Sequence, residues 1–151
     1  MTDNAIVQNV AMKAIIVNDG KILLLRESAK HDTNTKAGKY QFPGGRIDPG
    51  EPFAEGLRRE VKEETGMEVE IGEPFYIGEW FPVIKGVPHH IVAVFLVCKP
   101  STTEVVISEE HDAYEWVGPE IAQKIDIMMP DKEVVERYFA STSPKLELPL
   151  V

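Results

Sequence analysis

Apolar residues in this chain gather in short runs separated by polar stretches that carry turn residues, and the spacing inside each run predicts its element. Met12 to Val17 and Ile22 to Arg26 read as strands, with Asn18-Asp19-Gly20 between them as a hairpin turn. Ser28 to Lys39 is polar and aperiodic, a long loop of the kind that serves binding. Tyr40 to Gly45 follows as a short extended piece ending in a turn. Val69 to Ile71 and Phe75 to Phe81 are predicted as strands broken near Pro74. His89 to Cys98 is the strongest strand, and its apolar continuity places it in the middle of a sheet, buried on both faces. Val105 to Ile107 and Tyr114 to Val117 read as shorter strands flanking an acidic loop. Two late helices are predicted, Pro119 to Lys124 and Asp131 to Ala140, the second with Val134, Val135, Tyr138 and Phe139 as its apolar stripe. The expected organisation is a single domain over residues 1–140 with a tail, 141–151, that has no predicted element.

One further helix is marked at both ends. Pro52 suits the first helical position and Gly66 the position just past the end. Phe53, Leu57 and Val61 recur four residues apart as a core-facing stripe. At about 100° per residue, Glu60 and Glu64 fall within about 20° of Phe53, and Glu63 flanks the stripe at about 80°. Two carboxylates, with a third beside them, therefore lean toward the protein body.

Composition narrows the function classes. The chain has 151 residues, 43% hydrophobic, enough to build one core without staples. Its formal charge of -9 argues against wrapping nucleic acid. The single cysteine, Cys98, closes no internal disulfide and reads as a small buried hydrophobe in a reducing compartment. Met1 to Gln8 lacks the regions of a secretory signal, and the longest apolar run, Ile91 to Cys98, is far too short to span a bilayer. A cytoplasmic globular domain is expected, with no membrane partner. The charge is uneven: Gly45 to Glu73 holds nine acidic and four basic residues, whereas Arg26 to Gly44 holds four basic and two acidic. Two solvated faces would explain this, and so would a cation site beside a phosphate site.

The overlap of the acids with the apolar stripe tilts the reading toward a cation site, with a solvated acidic face as the alternative. Carboxylates one turn apart repel, by roughly 1 kcal/mol in water at about 4 Å and about 4 kcal/mol at an effective dielectric near 20. Partial burial adds a desolvation cost. Arg59 stands four residues before Glu63 and can pair with it, but one arginine does not neutralise three acids. A hard divalent cation does, and oxygen ligands favour Mg²⁺, Mn²⁺ or Ca²⁺ over zinc.

The stretch from Gly45 through Glu51 to Arg59-Glu60-Val61-Lys62-Glu63-Glu64-Thr65-Gly66-Met67 resembles the Nudix box, Gly-x5-Glu-x7-Arg-Glu-U-x-Glu-Glu-x-Gly-U with U a bulky aliphatic, at every defined position. A chance match is on the order of 1 in 10 million. Gly56 departs from the alanine frequent in relatives, outside the chemistry. The resemblance implies an α/β fold, an α/β/α sandwich with a mixed central sheet. It also implies a metal-dependent hydrolase that cuts a pyrophosphate bond in nucleoside diphosphates linked to a group X, by water attack at phosphorus. Nucleoside triphosphates, oxidised ones included, ADP-ribose, dinucleoside polyphosphates and nucleotide sugars are all open as substrates. A non-catalytic nucleotide sensor on the same fold and a plain acidic metal-binding module are the alternatives, and the complete box favours the enzyme.

Residue by residue, the resemblance assigns Glu60, Glu63 and Glu64, with the Gly45 carbonyl, to the metal: Mg²⁺, or Mn²⁺ in its place. Arg59 would orient Glu63, and Glu51 would fix the loop against the helix. The proton acceptor is sought among Glu63 and Glu64 in the box and Glu109 and Glu110 in Ser108-Glu109-Glu110-His111-Asp112, with Glu110 preferred as an auxiliary ligand or base. Arg26, Lys39 and Arg46 are candidates to meet substrate phosphates; Tyr40, and beyond it Tyr76, Trp80 and Phe81, to stack on a base. His89 and His90 read as strand residues, His111 as a surface histidine and Trp116 as core. The nucleotide is the expected partner, and a homodimer is compatible with the family.

Overall fold

Alternation along the first strand sends neighbouring side chains to opposite faces of the sheet, and each face is covered by a helix. The computed structural model describes residues 5–29 and 37–142. Most of the predicted Ser28–Lys39 loop and of the tail lies outside the described residues. The elements are β1 (Val7–Asn18), β2 (Lys21–Glu27), β3 (Tyr40–Gln41), β4 (Gly44–Arg46), α1 (Phe53–Thr65), β5 (Val69–Trp80), β6 (Val83–Ile84), β7 (Val87–Pro100), β8 (His111–Val117), α2 (Pro119–Ala122) and α3 (Asp131–Ser141). The main sheet runs β3-β2-β1-β7-β5, with β4 also paired to β1, β6 to β7 and β8 to β2. β1 and β7 are parallel and every other pair of strands is antiparallel, so the sheet is mixed. On β1, Ala11 and Ile15 join the core that includes Val134 and Val135 of α3, while Met12, Ala14 and Ile16 join the core that includes Leu57 and Val61 of α1. This is the expected α/β/α sandwich. No helix among the described residues is long and apolar enough to cross a membrane.

Several boundaries differ from the reading of the chain. The two strands predicted around Pro74 are one strand, β5, whose pairing with β7 shifts register on both sides of the proline. β5 lies at the edge of the sheet, where a missing N–H is tolerated and an irregularity absorbs the ring. Val105 to Ile107 is not a strand. Its backbone instead serves the end of α1, with Val106 N–H donating to the Thr65 carbonyl (2.9 Å) and Ser108 N–H to that of Glu64 (3.3 Å). Carbonyls in the last helical turn have no partner within the helix, and the passing loop supplies them. Pro52 stands one position before the helix, in extended conformation, and Phe53 is 50% exposed, so the stripe that reaches the core begins at Leu57. Gly66 is left-handed and closes the helix as predicted. Gly56 is buried: a Cβ there would lie 2.7 Å from Ile47 and 2.9 Å from Glu51, which accounts for the glycine. Trp116 is partly buried against the α1-side core.

Candidate active site

β1 is shared on one side by two partners, β4 at its middle (Ala11–Arg46, Met12–Gly45, Lys13–Gly44) and β2 at its end (Val17–Ile22). The last turns of α1 meet the β4 side of this arrangement. Gly44 N–H donates to Oε1 of Glu64 at 2.7 Å. Gly44 has φ of 135°, and a Cβ there would lie 2.2 Å from the Met12 carbonyl oxygen, so only glycine fits. At Gly45 a Cβ would stand 3.0 Å from the carboxyl of Glu60. The two glycines thus let the strand press against both acids of the helix.

Electrostatics at these acids is unfavourable without a cation. The Glu64 side chain is 9% exposed. Burial pushes its carboxyl up to about 8, with Glu60 and Glu110 adding to the rise and the Gly44 amide and Lys13 opposing it. Glu60, also held partly from water, is raised by burial, and Arg59 counters this. Glu63 is exposed.

Arg59 takes a different principal partner from the one expected. It grips Glu51 in a bidentate pair (Nε to Oε2 2.8 Å, Nη2 to Oε1 3.0 Å), while its Nη1 reaches Oε1 of Glu60 at 3.1 Å and Oε1 of Glu63 only at 3.4 Å. A planar guanidinium matches a carboxylate two-for-two, which outweighs the single contact one helical turn away. Glu51 is held down to about 2 by that pair and by the Asp48 amide, which donates to it at 3.0 Å. It therefore ties the loop before α1 to the helix, as expected of it.

The later acidic loop returns to this site. β8 pairs with β2 so that His111 stands opposite Glu27, and Ser28 N–H donates to the Glu110 carbonyl. Donor atoms of Glu64, Glu110 and His111 all lie within 4.8 Å of one another, a group able to hold a metal ion. His111 is not a surface residue: β8 begins three residues earlier than predicted and draws it inside, with 2% of its side chain exposed. Burial holds its imidazole below the usual range, against the pull of Glu27 and Glu110.

A polar chain, buried at Asp131, Lys13 and His111 and half-buried at Gln41 and Glu27, links the two helix-covered faces and was unforeseen in the sequence. Asp131 of α3 lies 3.7 Å from Nζ of Lys13 and accepts from Phe42 N–H at 2.9 Å. Lys13 donates to Gln41 (3.2 Å), Gln41 donates to Oε2 of Glu27 (2.6 Å), and that oxygen lies 3.5 Å from Nε2 of His111. His111 Nε2 is in turn 4.0 Å from Oε2 of Glu64. The available signal was Lys13, a cation in the middle of an apolar strand.

The residues expected to bind substrate are spread over two places. Arg26 and Tyr40 face each other across β2 and β3, and Arg26 is engaged by Asp112 at 2.6 Å. Lys39, half-buried, precedes Tyr40. Arg46 stands on β4 next to Gly45, 3.5 Å from Asn9. Tyr76 and Trp80 pack against the α3-side core, and Phe81 is exposed and stacks on His90 at 4.5 Å. His89 is buried, with Nδ1 2.8 Å from the Val87 carbonyl. Cys98 is buried, and its thiol is pushed up to about 12 by desolvation.

The donor set fits a hard divalent cation. Carboxylate oxygens dominate it, one acid is buried without enough positive charge, and glycine backbone approaches where a side chain would block it.

Comparison with known proteins gives a consistent family. The model of the NUDIX domain matches residues 7–138. The chain is 33% identical over 127 residues to the CTP pyrophosphohydrolase of Escherichia coli K12, covering 84% of this chain and 88% of that protein. It is 29% identical over 135 residues to the nucleoside triphosphatase NudI of Escherichia coli O1:K1, covering 85% and 94%. Among solved structures, a MutT protein from Methanosarcina mazei Go1 superposes with a TM-score of 0.73 at 29% identity, covering 91% of this chain and 97% of that one. The ORF135 protein of E. coli gives 0.66 at 27% identity, covering 95% and 96%.

Proposed function

The chain belongs to the Nudix hydrolase family, pyrophosphohydrolases that act on nucleotide substrates, and from that premise we propose that it is a metal-dependent hydrolase of nucleoside triphosphates. The observation that carries the metal dependence is Glu64: a carboxylate 9% exposed, anchored by the Gly44 amide, with Glu60 and Glu110 as like-charged neighbours. The triphosphate class is supported by the two E. coli relatives, one named a CTP pyrophosphohydrolase and the other a nucleoside triphosphatase.

Glu60, Glu64 and the Gly45 carbonyl would hold Mg²⁺ or Mn²⁺, with Glu110 as the ligand from the opposite loop. When bound, the cation neutralises the pyrophosphate and stabilises charge developing on the leaving phosphate. The protein's own residues supply the rest. Gly44 N–H aims Glu64, and the Glu51–Arg59 pair holds α1 against the preceding loop while Arg59 also orients Glu60. The proton of the attacking water passes to a carboxylate that reaches solvent; Glu63, Glu109 and Glu110 all do, and Glu63 and Glu110 are the two proposed for it. Arg26, Lys39, Arg46 and Tyr40 are proposed to bind the nucleotide. Arg26 would have to exchange Asp112 for a phosphate.

Incubation with Mg²⁺ and a panel of nucleotides, followed by product identification, tests this. Release of a nucleoside monophosphate is expected, with about tenfold or greater loss in Glu64→Gln. Binding without turnover across triphosphates, nucleotide sugars and dinucleoside polyphosphates would instead favour the nucleotide sensor.

A further inference from the structure

The three donors that stand within ligand distance of one another are not all oxygens. We propose that His111 is a direct nitrogen ligand, forming with Glu64 and Glu110 a cation position that prefers a first-row transition ion such as Mn²⁺ over Mg²⁺. This rests on the reading of the site as a metal site, and it changes the chemistry of one position in it.

The placement of His111 is the first support. Its side chain is 2% exposed, so the ring is held away from solvent. Backbone bonds hold it: His111 N–H donates to the Ser108 carbonyl at 3.2 Å, and β8 registers it opposite Glu27. Nε2 then faces Oε2 of Glu27 at 3.5 Å and Oε2 of Glu64 at 4.0 Å. The Glu27 oxygen already accepts from Gln41 at 2.6 Å, and 3.5 Å is long for a charge-assisted hydrogen bond.

Donor spacing is the second. Atoms sharing an ion through bonds of about 2.1 Å stand about 3 Å apart when adjacent and about 4.2 Å when opposite. The 4.0 Å between His111 and Glu64 lies in that range, and the exposed Glu110, within 4.8 Å of both, closes the remainder by side-chain rotation. Imidazole nitrogen raises affinity along the first-row series and contributes little to Mg²⁺, which keeps oxygen and water. With Glu110 engaged as a ligand, Glu63 becomes the carboxylate left to accept the proton.

Pulsed electron paramagnetic resonance of Mn²⁺ bound to the full chain tests the ligand directly. A nitrogen coupling of the directly bound kind is expected, changed when histidine is labelled with ¹⁵N. In His111→Gln the coupling disappears, Mn²⁺ affinity by calorimetry falls about tenfold or more, and Mg²⁺ affinity changes less than about threefold. Stoichiometric Mn²⁺ without nitrogen coupling, or coupling that survives in His111→Gln, overturns the inference and leaves the hydrolase reading standing. Absence of uptake of either ion, with nucleotide present, overturns both. Should the variant fail to fold, the labelled wild-type spectrum decides alone.

Discussion

The amide of Gly44 donates to the carboxylate of Glu64 over 2.7 Å, joining a three-residue strand, paired to the middle of β1, to the last turn of α1. Gly44→Ala would place a methyl group 2.2 Å from the Met12 carbonyl oxygen in a backbone conformation that L residues rarely adopt. The expected result is destabilisation of about 2 kcal/mol or more, read by urea denaturation, together with weakened metal uptake because Glu64 loses its anchor. A variant with unchanged stability and unchanged uptake would contradict this link.

Divalent metal should stabilise the protein through Glu64. Binding to the folded state alone contributes about 2.7 kcal/mol at a concentration one hundred times Kd. The melting temperature is therefore expected to rise with Mg²⁺ or Mn²⁺ in the wild type and to stay nearly constant in Glu64→Gln. Equal rises in the two proteins would place the ion elsewhere.

Acid should weaken the fold through Glu51. Its carboxyl ionises near 2 in the folded protein, below its ordinary value of 4.5, because Arg59 and the Asp48 amide bind the charged form. A lowered value favours folding above the ordinary range and loses that contribution as pH falls from about 4.5 to about 2. Denaturation midpoints followed across that window should drop more steeply in the wild type than in Glu51→Gln. Parallel profiles would show that the pair does not couple to folding.

The buried pair of Lys13 and Asp131 carries the largest stability prediction. Their side chains are 7% and 2% exposed, so removing one leaves the other charged and desolvated. Lys13→Met is expected to cost about 3–5 kcal/mol in chemical denaturation. Asp131→Asn, which keeps an acceptor for Phe42 N–H, should cost less. The double variant should cost less than the sum of the two, since no lone charge remains.

Much of the α1 region was legible because local rules and tertiary roles coincide there. Gly66 ends the helix in the sequence and in the structure, and Leu57 and Val61 face the core at the predicted spacing. Cys98 is buried as its apolar run suggested. Phe53 was misjudged because periodicity does not report where a sheet ceases to cover a helix. Val105 to Ile107 looked like a strand, yet its backbone bonds to the end of α1. His111 was misjudged for a similar reason: an acidic neighbourhood along the chain says nothing about whether β8 starts before or after it.

Residue order by itself determined the box, the helix that carries it and the strong apolar strand, because these follow from spacing and from side-chain periods of about two and 3.6, and the two-faced sandwich followed from the resemblance that the box carries. Pairing across the sheet decided the remainder. It brought Glu110 and His111 from β8 and its loop to Glu64 and threaded Lys13, Gln41 and Glu27 between α3 and the box helix, while the turn of the loop into α1 gave Arg59 to Glu51. The contacts of the sheet-linked set join residues 14 to 118 positions apart along the chain, and the register of β1, β2, β3 and β8 sets which of them meet.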